Sequence, residues 1–237
     1  MSAAVPVVTI DGPAGVGKST VGRRVAAALG VPFIDTGICY RALTLAADWA
    51  GLGQGDGAAL AQLAARVRLE INCDPEAAPN AWRARVDGRE LREELWDPRH
   101  AWLLAQVAQE AAVRQALLHF QREPAARGAV AVGRDTGTVV FPEADCKVYL
   151  DAPAEVRVGR RRDELQSRGR DASEAVLRAD VVARDLTDLT RDHAPLAVPP
   201  DALWIDTTPL GAEAVVQLVL EECRRRRIRA PRKPASA

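Results

Sequence analysis

Lysine is scarce in this 237-residue chain: Lys18, Lys147 and Lys233 stand among 32 basic side chains, so a lysine inside a motif is not a casual surface charge. Asparagine is scarcer still. Asn72 and Asn80 do not form the Asn-Lys-x-Asp that a guanine-reading switch needs, which argues against that class. The four cysteines, Cys39, Cys73, Cys146 and Cys223, are widely spaced. They form neither a C-x-x-C pair nor a metal-like cluster with the three histidines, and reduced thiols are the simplest reading. No apolar run approaches the length of a membrane span. No basic region and no apolar leader precede the first strand, so no signal peptide and a cytoplasmic location are expected. Repeats and low-complexity tracts are lacking too. With 48% hydrophobic and 27% charged residues, the length suits one α/β domain with insertions.

Net charge is zero but uneven. Residues 224–233 carry seven basic groups and no acidic one, leaving 25 basic against 32 acidic groups over 1–223. The run Arg224 to Arg227 has two readings: a tag for nucleic acid or a membrane surface, or the last turn of a helix, where cations are favoured. We favour the helix end, because the run continues an amphipathic segment. Neither a nucleic-acid nor a membrane partner is then expected. Residues 230–237 read as a disordered tail.

What is present begins with Gly12-Pro13-Ala14-Gly15-Val16-Gly17-Lys18-Ser19-Thr20, a match to G-x-x-x-x-G-K-[ST]. The apolar run Val5 to Ile10 precedes it as a buried strand. A helical pattern with Val21, Val25, Ala28 and Leu29 on one face follows. Glycines let backbone N–H groups turn around a phosphate, and the helix adds its positive end. Lys18 would reach the outer phosphates, and the Ser19 hydroxyl would face Mg²⁺. Further strands are expected at 31–34, 129–132, 146–150 and 203–205. Helices are expected near 37–50, in 52–66, at 99–122, 154–168 and 173–189, and from Gly211 to Arg227. This predicts a doubly wound α/β fold: a five-stranded parallel sheet with helices on both faces. Asp35, Thr36 and Arg41 would lie at its carboxyl edge, where ligands bind. Alternation in Val67 to Cys73 and in Trp82 to Val86, with the Asp87-Gly88 turn, marks an antiparallel insertion over about 67–97.

Arginines punctuate the later loops: Gly133-Arg134-Asp135-Thr136-Gly137-Thr138, and Arg184-Asp185-x-x-Asp188-x-x-Arg191-x-x-Ala194-Pro195-Leu196. Arginine forks bind phosphate bidentately, so a second anionic ligand facing the first is one reading. Ion pairs along a solvated helix face are the other.

Taken with Thr9-Ile10-Asp11-Gly12-Pro13, Asp35-Thr36-Gly37-x-x-Tyr40-Arg41, Val139-Val140-Phe141-Pro142 and Tyr149-Leu150-Asp151-Ala152, these stretches resemble bacterial cytidylate kinases over nearly the whole chain. The resemblance implies a P-loop NTPase fold with a monophosphate-binding β insertion and a helical lid at about 154–171, the kinase spanning 1–229. It implies transfer of the ATP γ-phosphate to CMP or dCMP with Mg²⁺, by a monomer. It assigns ATP to residues 12–20, with Arg157 and Arg161 closing over the phosphoryl group; Arg170 is another candidate. It gives Thr36, Arg41, Arg114, Arg134, Asp135, Arg184, Asp188 and Arg191 to CMP. By the same resemblance Lys18, Arg41, Arg134 and Arg191 would be the catalytic cations. Two departures stand out: Ala105 where the family often has serine near the base, and Val132 where an acidic residue commonly precedes Gly-Arg-Asp.

Overall fold

The apolar run ahead of Gly12 becomes strand β1 (Val7–Asp11), buried from Val8 onward, as a central parallel strand must be. This computed structural model describes residues 6–53, 56–71, 74, 84–167, 169 and 172–228. The tail after Ile228, Cys73, Trp82 and Arg170 lie outside them. Strand β1 sits between β6 (Ala129–Val132) and β7 (Cys146–Asp151). With β2 (Phe33–Asp35) and β8 (Leu203–Asp206) they make a parallel five-stranded sheet in the order β2–β6–β1–β7–β8. Register aligns Ile10 and Asp35 with Val132, and Asp11 with Tyr149. The loops after β1, β2 and β6 therefore leave the sheet at one edge.

The helices surround this sheet: α1 (Lys18–Leu29), α2 (Gly37–Trp49), α3 (Gly57–Arg66), α4 (Ala101–Gln109), α5 (Ala111–Arg122), α6 (Ala154–Ser167), α7 (Glu174–Thr190) and α8 (Ala212–Arg225). The expected helix over 99–122 is two. Glu110 is extended (φ −67°, ψ 114°), which frees carbonyls at the end of α4, and the Arg114 guanidinium donates to the Ala108 carbonyl at 3.0 Å. Periodicity alone does not register that break, because the apolar positions continue across it.

Strands β3 (Leu69–Ile71), β4 (Ala84–Val86) and β5 (Arg89–Leu91) form the antiparallel insertion, in sequence order. Asp87 and Gly88 both have positive φ, 50° and 82°, the geometry a tight two-residue hairpin demands. The described residues of the insertion form no core of their own. Ala84, Val86, Leu91 and Leu95 join the main cluster around Val8, Ile10 and Leu43. The pair α6–α7 differs: Val158, Leu177 and Val181 make a small separate cluster between them.

Cys39, Cys146 and Cys223 are buried, the last two as free thiols. Among the described residues no helix is long and apolar enough to cross a membrane. The basic run behaves as a helix end. Glu222 accepts from Arg225 and Arg226 at 2.6–2.7 Å, and Arg226 also reaches the Asp201 carbonyl. Those arginines pull the Glu222 carboxyl down to about 2 from its usual 4.5. A depressed carboxylate pKa contributes stability that is full above about 4.5 and is lost as pH falls toward 2. Melting curves of an Arg225→Ala/Arg226→Ala double variant should thus lie below the parent at pH 5–7 and converge with it near about pH 2. A gap constant down to pH 2 would show that these contacts are not ionic.

Candidate active site

Two glycines show why the first loop folds as it does. Gly12 (φ 143°) occupies a region closed to side chains, and a β-carbon there would collide with the Leu150 carbonyl. The loop starts on Asp11, whose buried carboxylate accepts from the Thr136 and Gly137 amides at 2.8 and 2.7 Å. Gly137 permits that approach, since a β-carbon there would sit 2.8 Å from Thr9 Oγ1. Burial pushes the Asp11 pKa above the ordinary carboxylate value, against the pull of those amides. Asp11 thereby binds the first loop to the Gly133–Gly137 loop.

Gly17 begins α1 in the left-handed region, and Ser19 and Thr20 stand exposed on the first turn. Lys18 is only 7% exposed. Its ammonium donates to the loop's own carbonyls, Gly12 at 2.7 Å and Pro13 at 2.6 Å. Burial first, then the nearby Arg134 cation, holds its pKa well below that of an ordinary lysine. The Ser19 hydroxyl donates to Asp35 Oδ2 at 2.9 Å, and the other Asp35 oxygen accepts from the Gly37 amide. A hydroxyl beside a carboxylate is a hard oxygen pair suited to Mg²⁺ with phosphate and water completing its shell. Asp35 was read from the sequence as a strand-end residue opposite the loop; its pairing with Ser19 appears only in three dimensions.

Across the sheet edge a second set of charges gathers. Arg41 donates to the Leu95 carbonyl at 3.0 Å, and its guanidinium lies 4.3 Å from the Trp96 ring centre. Burial pushes its pKa down to about 10, with further depression from Arg184, Arg134 and Arg161 and opposition from Asp35. An arginine stays charged regardless. The shift therefore reflects burial first and cation crowding second, and a phosphate among these groups would offset both. Arg134 donates to Asp188 at 2.6 Å. Arg114 bonds Asp135 through a short buried ion pair and lies 5.3 Å from the Tyr40 ring. Arg191 sits 3.6 Å from Asp135 and 3.8 Å from Asp188, and its Nε donates to the Ala194 carbonyl. Its Nη2 is buried without a hydrogen-bond partner. Asp135 is thus held between two arginines beneath a half-buried tyrosine. Ala105, half-buried on α4, adds no hydroxyl.

Not every expected residue is presented to a ligand. Arg157 was expected over the ATP phosphates. Instead its guanidinium is spent on the Ala152 carbonyl (2.9 Å), the Ala14 carbonyl (3.1 Å) and both oxygens of Asp185 (3.0 and 2.6 Å). It braces the loop from behind, because α6 packs there. The Thr36 hydroxyl donates to the Val132 carbonyl, so it too is committed to the fold. Arg161 pairs with Glu164, and Arg184 with Asp180 one turn away, both partly exposed. For Arg184 the helix-face ion pair and the ligand reading coexist, since it also bears on Arg41. Val132 is buried in the sheet, and the acid at this edge is Asp35, from the neighbouring strand.

Residues 8–225 match the family model described as cytidylate kinase. A protein named cytidylate kinase from Methylococcus capsulatus is 45% identical over 224 residues, 93% of this chain and 97% of that one. Another of that name, from a Geobacter species, is 42% identical over 214 residues, 90% of each chain. Among solved structures, an uncharacterized protein from Eubacterium ventriosum aligns with a TM-score of 0.50 at 10% identity, over 92% of this chain and 98% of that one, a likeness of fold alone.

Proposed function

The chain belongs to the cytidylate kinase family, and from that premise we propose how its own residues carry out the reaction. It transfers the γ-phosphate of ATP to CMP or dCMP, giving CDP or dCDP and ADP. The observation that carries the assignment to residues is the pairing of two sites at one sheet edge: the loop with Lys18, and the Arg41–Arg134–Arg191 group beside Asp135.

The acceptor is already an anion, so the chemistry asks for alignment and charge neutralisation more than for a base. The loop of residues 12–20 holds the ATP phosphates with its backbone N–H groups (Pro13 has none), and Lys18 leaves the Gly12 and Pro13 carbonyls to neutralise the migrating phosphoryl group. Ser19 and Asp35 would hold Mg²⁺, which supplies charge neutralisation between the phosphates. Arg41, Arg134 and Arg191 grip the acceptor phosphate, with Arg184 and Asp188 on its sugar side. Arg114 and Asp135 meet the cytosine edge. Arg161 can exchange Glu164 for a phosphate, being on the exposed side of α6; Arg157 stays behind the loop. The chain works as a cytoplasmic monomer, and the basic segment binds no nucleic acid.

A coupled assay with ATP against CMP, dCMP, UMP, AMP and GMP tests the function, and turnover of AMP or GMP above that of CMP would refute it. Trp96 gives a finer expectation. Its ring supports Arg41 without touching the reacting atoms, so Trp96→Leu should raise KM for CMP by about fivefold, a cation–π contact being worth roughly 1 kcal/mol. KM for ATP should stay unchanged. Equal changes in both would point to a general loss of structure.

A further inference from the structure

Helices α6 and α7 share a small apolar cluster of their own, while Val156 of α6 packs on the main core. Much of their connection to the body is polar. Arg157 on α6 is the most buried of these links, its side chain 6% exposed, and it faces two ways. Toward the body it donates to the Ala14 carbonyl within the phosphate loop and to the Ala152 carbonyl after β7. Toward the lid its Nη atoms meet both oxygens of Asp185 on α7. The loop apex lies against it: a β-carbon on Gly15 would sit 3.4 Å from Arg157 Cβ. Asp185 is one turn before Asp188, which holds Arg134, and Arg191 beyond the helix approaches Asp135.

We propose that Asp185 is a positioning residue that couples the two substrate sites, by fixing through Arg157 the Ala14 carbonyl of the phosphate loop to the helix that reads the acceptor nucleotide. This rests on the assignment of ATP to the loop and CMP to the α7 side. An acceptor that draws in Asp188 and Arg191 moves Asp185 with them. A two-pronged ion pair transmits that displacement as direction as well as distance, because both guanidinium nitrogens are fixed at once. The loop amides are then set for ATP only when α7 is in place, and by linkage ATP tightens CMP to the same degree. A contact that stapled α6 to α7 alone would need no bond to Ala14.

The test measures CMP dissociation constants on the full chain by calorimetry, alone and with a saturating non-hydrolysable ATP analogue plus Mg²⁺. The parent and Asp185→Asn are compared well below both melting temperatures. The parent should bind CMP about fivefold or more tightly with the analogue present, and in Asp185→Asn this gain should fall below about twofold. Affinity for CMP alone should change little. A parent without the gain, or a gain undiminished in Asp185→Asn, overturns the proposal. A lowered Tm with the gain intact marks a purely structural staple and overturns it equally. Should Asp185→Asn not fold, amide exchange on the parent decides. CMP alone should slow exchange in residues 14–17, and no slowing counts against the coupling. If the parent binds a different nucleoside monophosphate and not CMP, the substrate assignment fails, and the same measurement with that nucleotide still tests the coupling.

Discussion

Lys18→Ala should lower kcat on the order of a hundredfold or more, since a charge aimed at the migrating group in a dry site is worth a few kcal/mol of transition-state stabilisation. The unusual part of the expectation is stability. Lys18 is almost wholly buried, and its ammonium meets two neutral carbonyls in the structure. Its depressed pKa, caused first by burial and then by Arg134, says that folding disfavours the charged form. Removing it should therefore leave the melting temperature unchanged or raise it, while removing activity. Melting and steady-state kinetics on one preparation check both. A variant within about threefold of the parent in kcat would mean that the loop is not the catalytic one. A large fall in Tm would mean that Lys18 serves the fold.

Asp135→Asn should redirect the choice of base. Cytosine presents an amino donor where uracil presents a carbonyl acceptor, so a carboxylate facing that edge favours cytosine at ~1–3 kcal/mol for a good contact. Asparagine keeps the shape but offers an amide that can donate to uracil. The ratio of kcat/KM for CMP over UMP should fall about tenfold or more. Both Asp135→Asn and Asp135→Ala remove the charge between Arg114 and Arg191, but asparagine keeps the shape and an acceptor oxygen for them, whereas alanine leaves a gap. Losing one member of a buried ion pair costs ~3–5 kcal/mol, so specificity in either variant is read well below its own melting temperature, and the cavity makes alanine the worse choice. With Ala105 giving no hydroxyl, more of the discrimination should rest on the Arg114–Asp135 pair. An unchanged CMP:UMP ratio in Asp135→Asn would show that Asp135 only braces its two arginines.

By itself the sequence determined the parts whose signals are local. Gly12 to Thr20 between an apolar run and a helical pattern gave the phosphate loop with its strand and helix, because glycine conformation, helix start and β-burial each act over a few residues. The hairpin at Asp87-Gly88 was legible for the same reason, as were the five parallel strands to within a few residues at their ends. Tertiary structure decided which partner each charged side chain takes. Arg41 and Arg157 look alike along the chain, yet Arg41 lies over Trp96 in the cation cluster, while Arg157 is bound to Ala14 and Asp185, 143 and 28 residues away. A guanidinium on a long flexible stem is placed by whichever carbonyl or carboxylate the packing brings within reach. The break at Glu110, which aims Arg114, was hidden likewise, because the apolar period runs through it and only the packed α4–α5 corner shows the chain turning. Local patterns thus specify backbone elements, and the pairing of charges waits for those elements to pack.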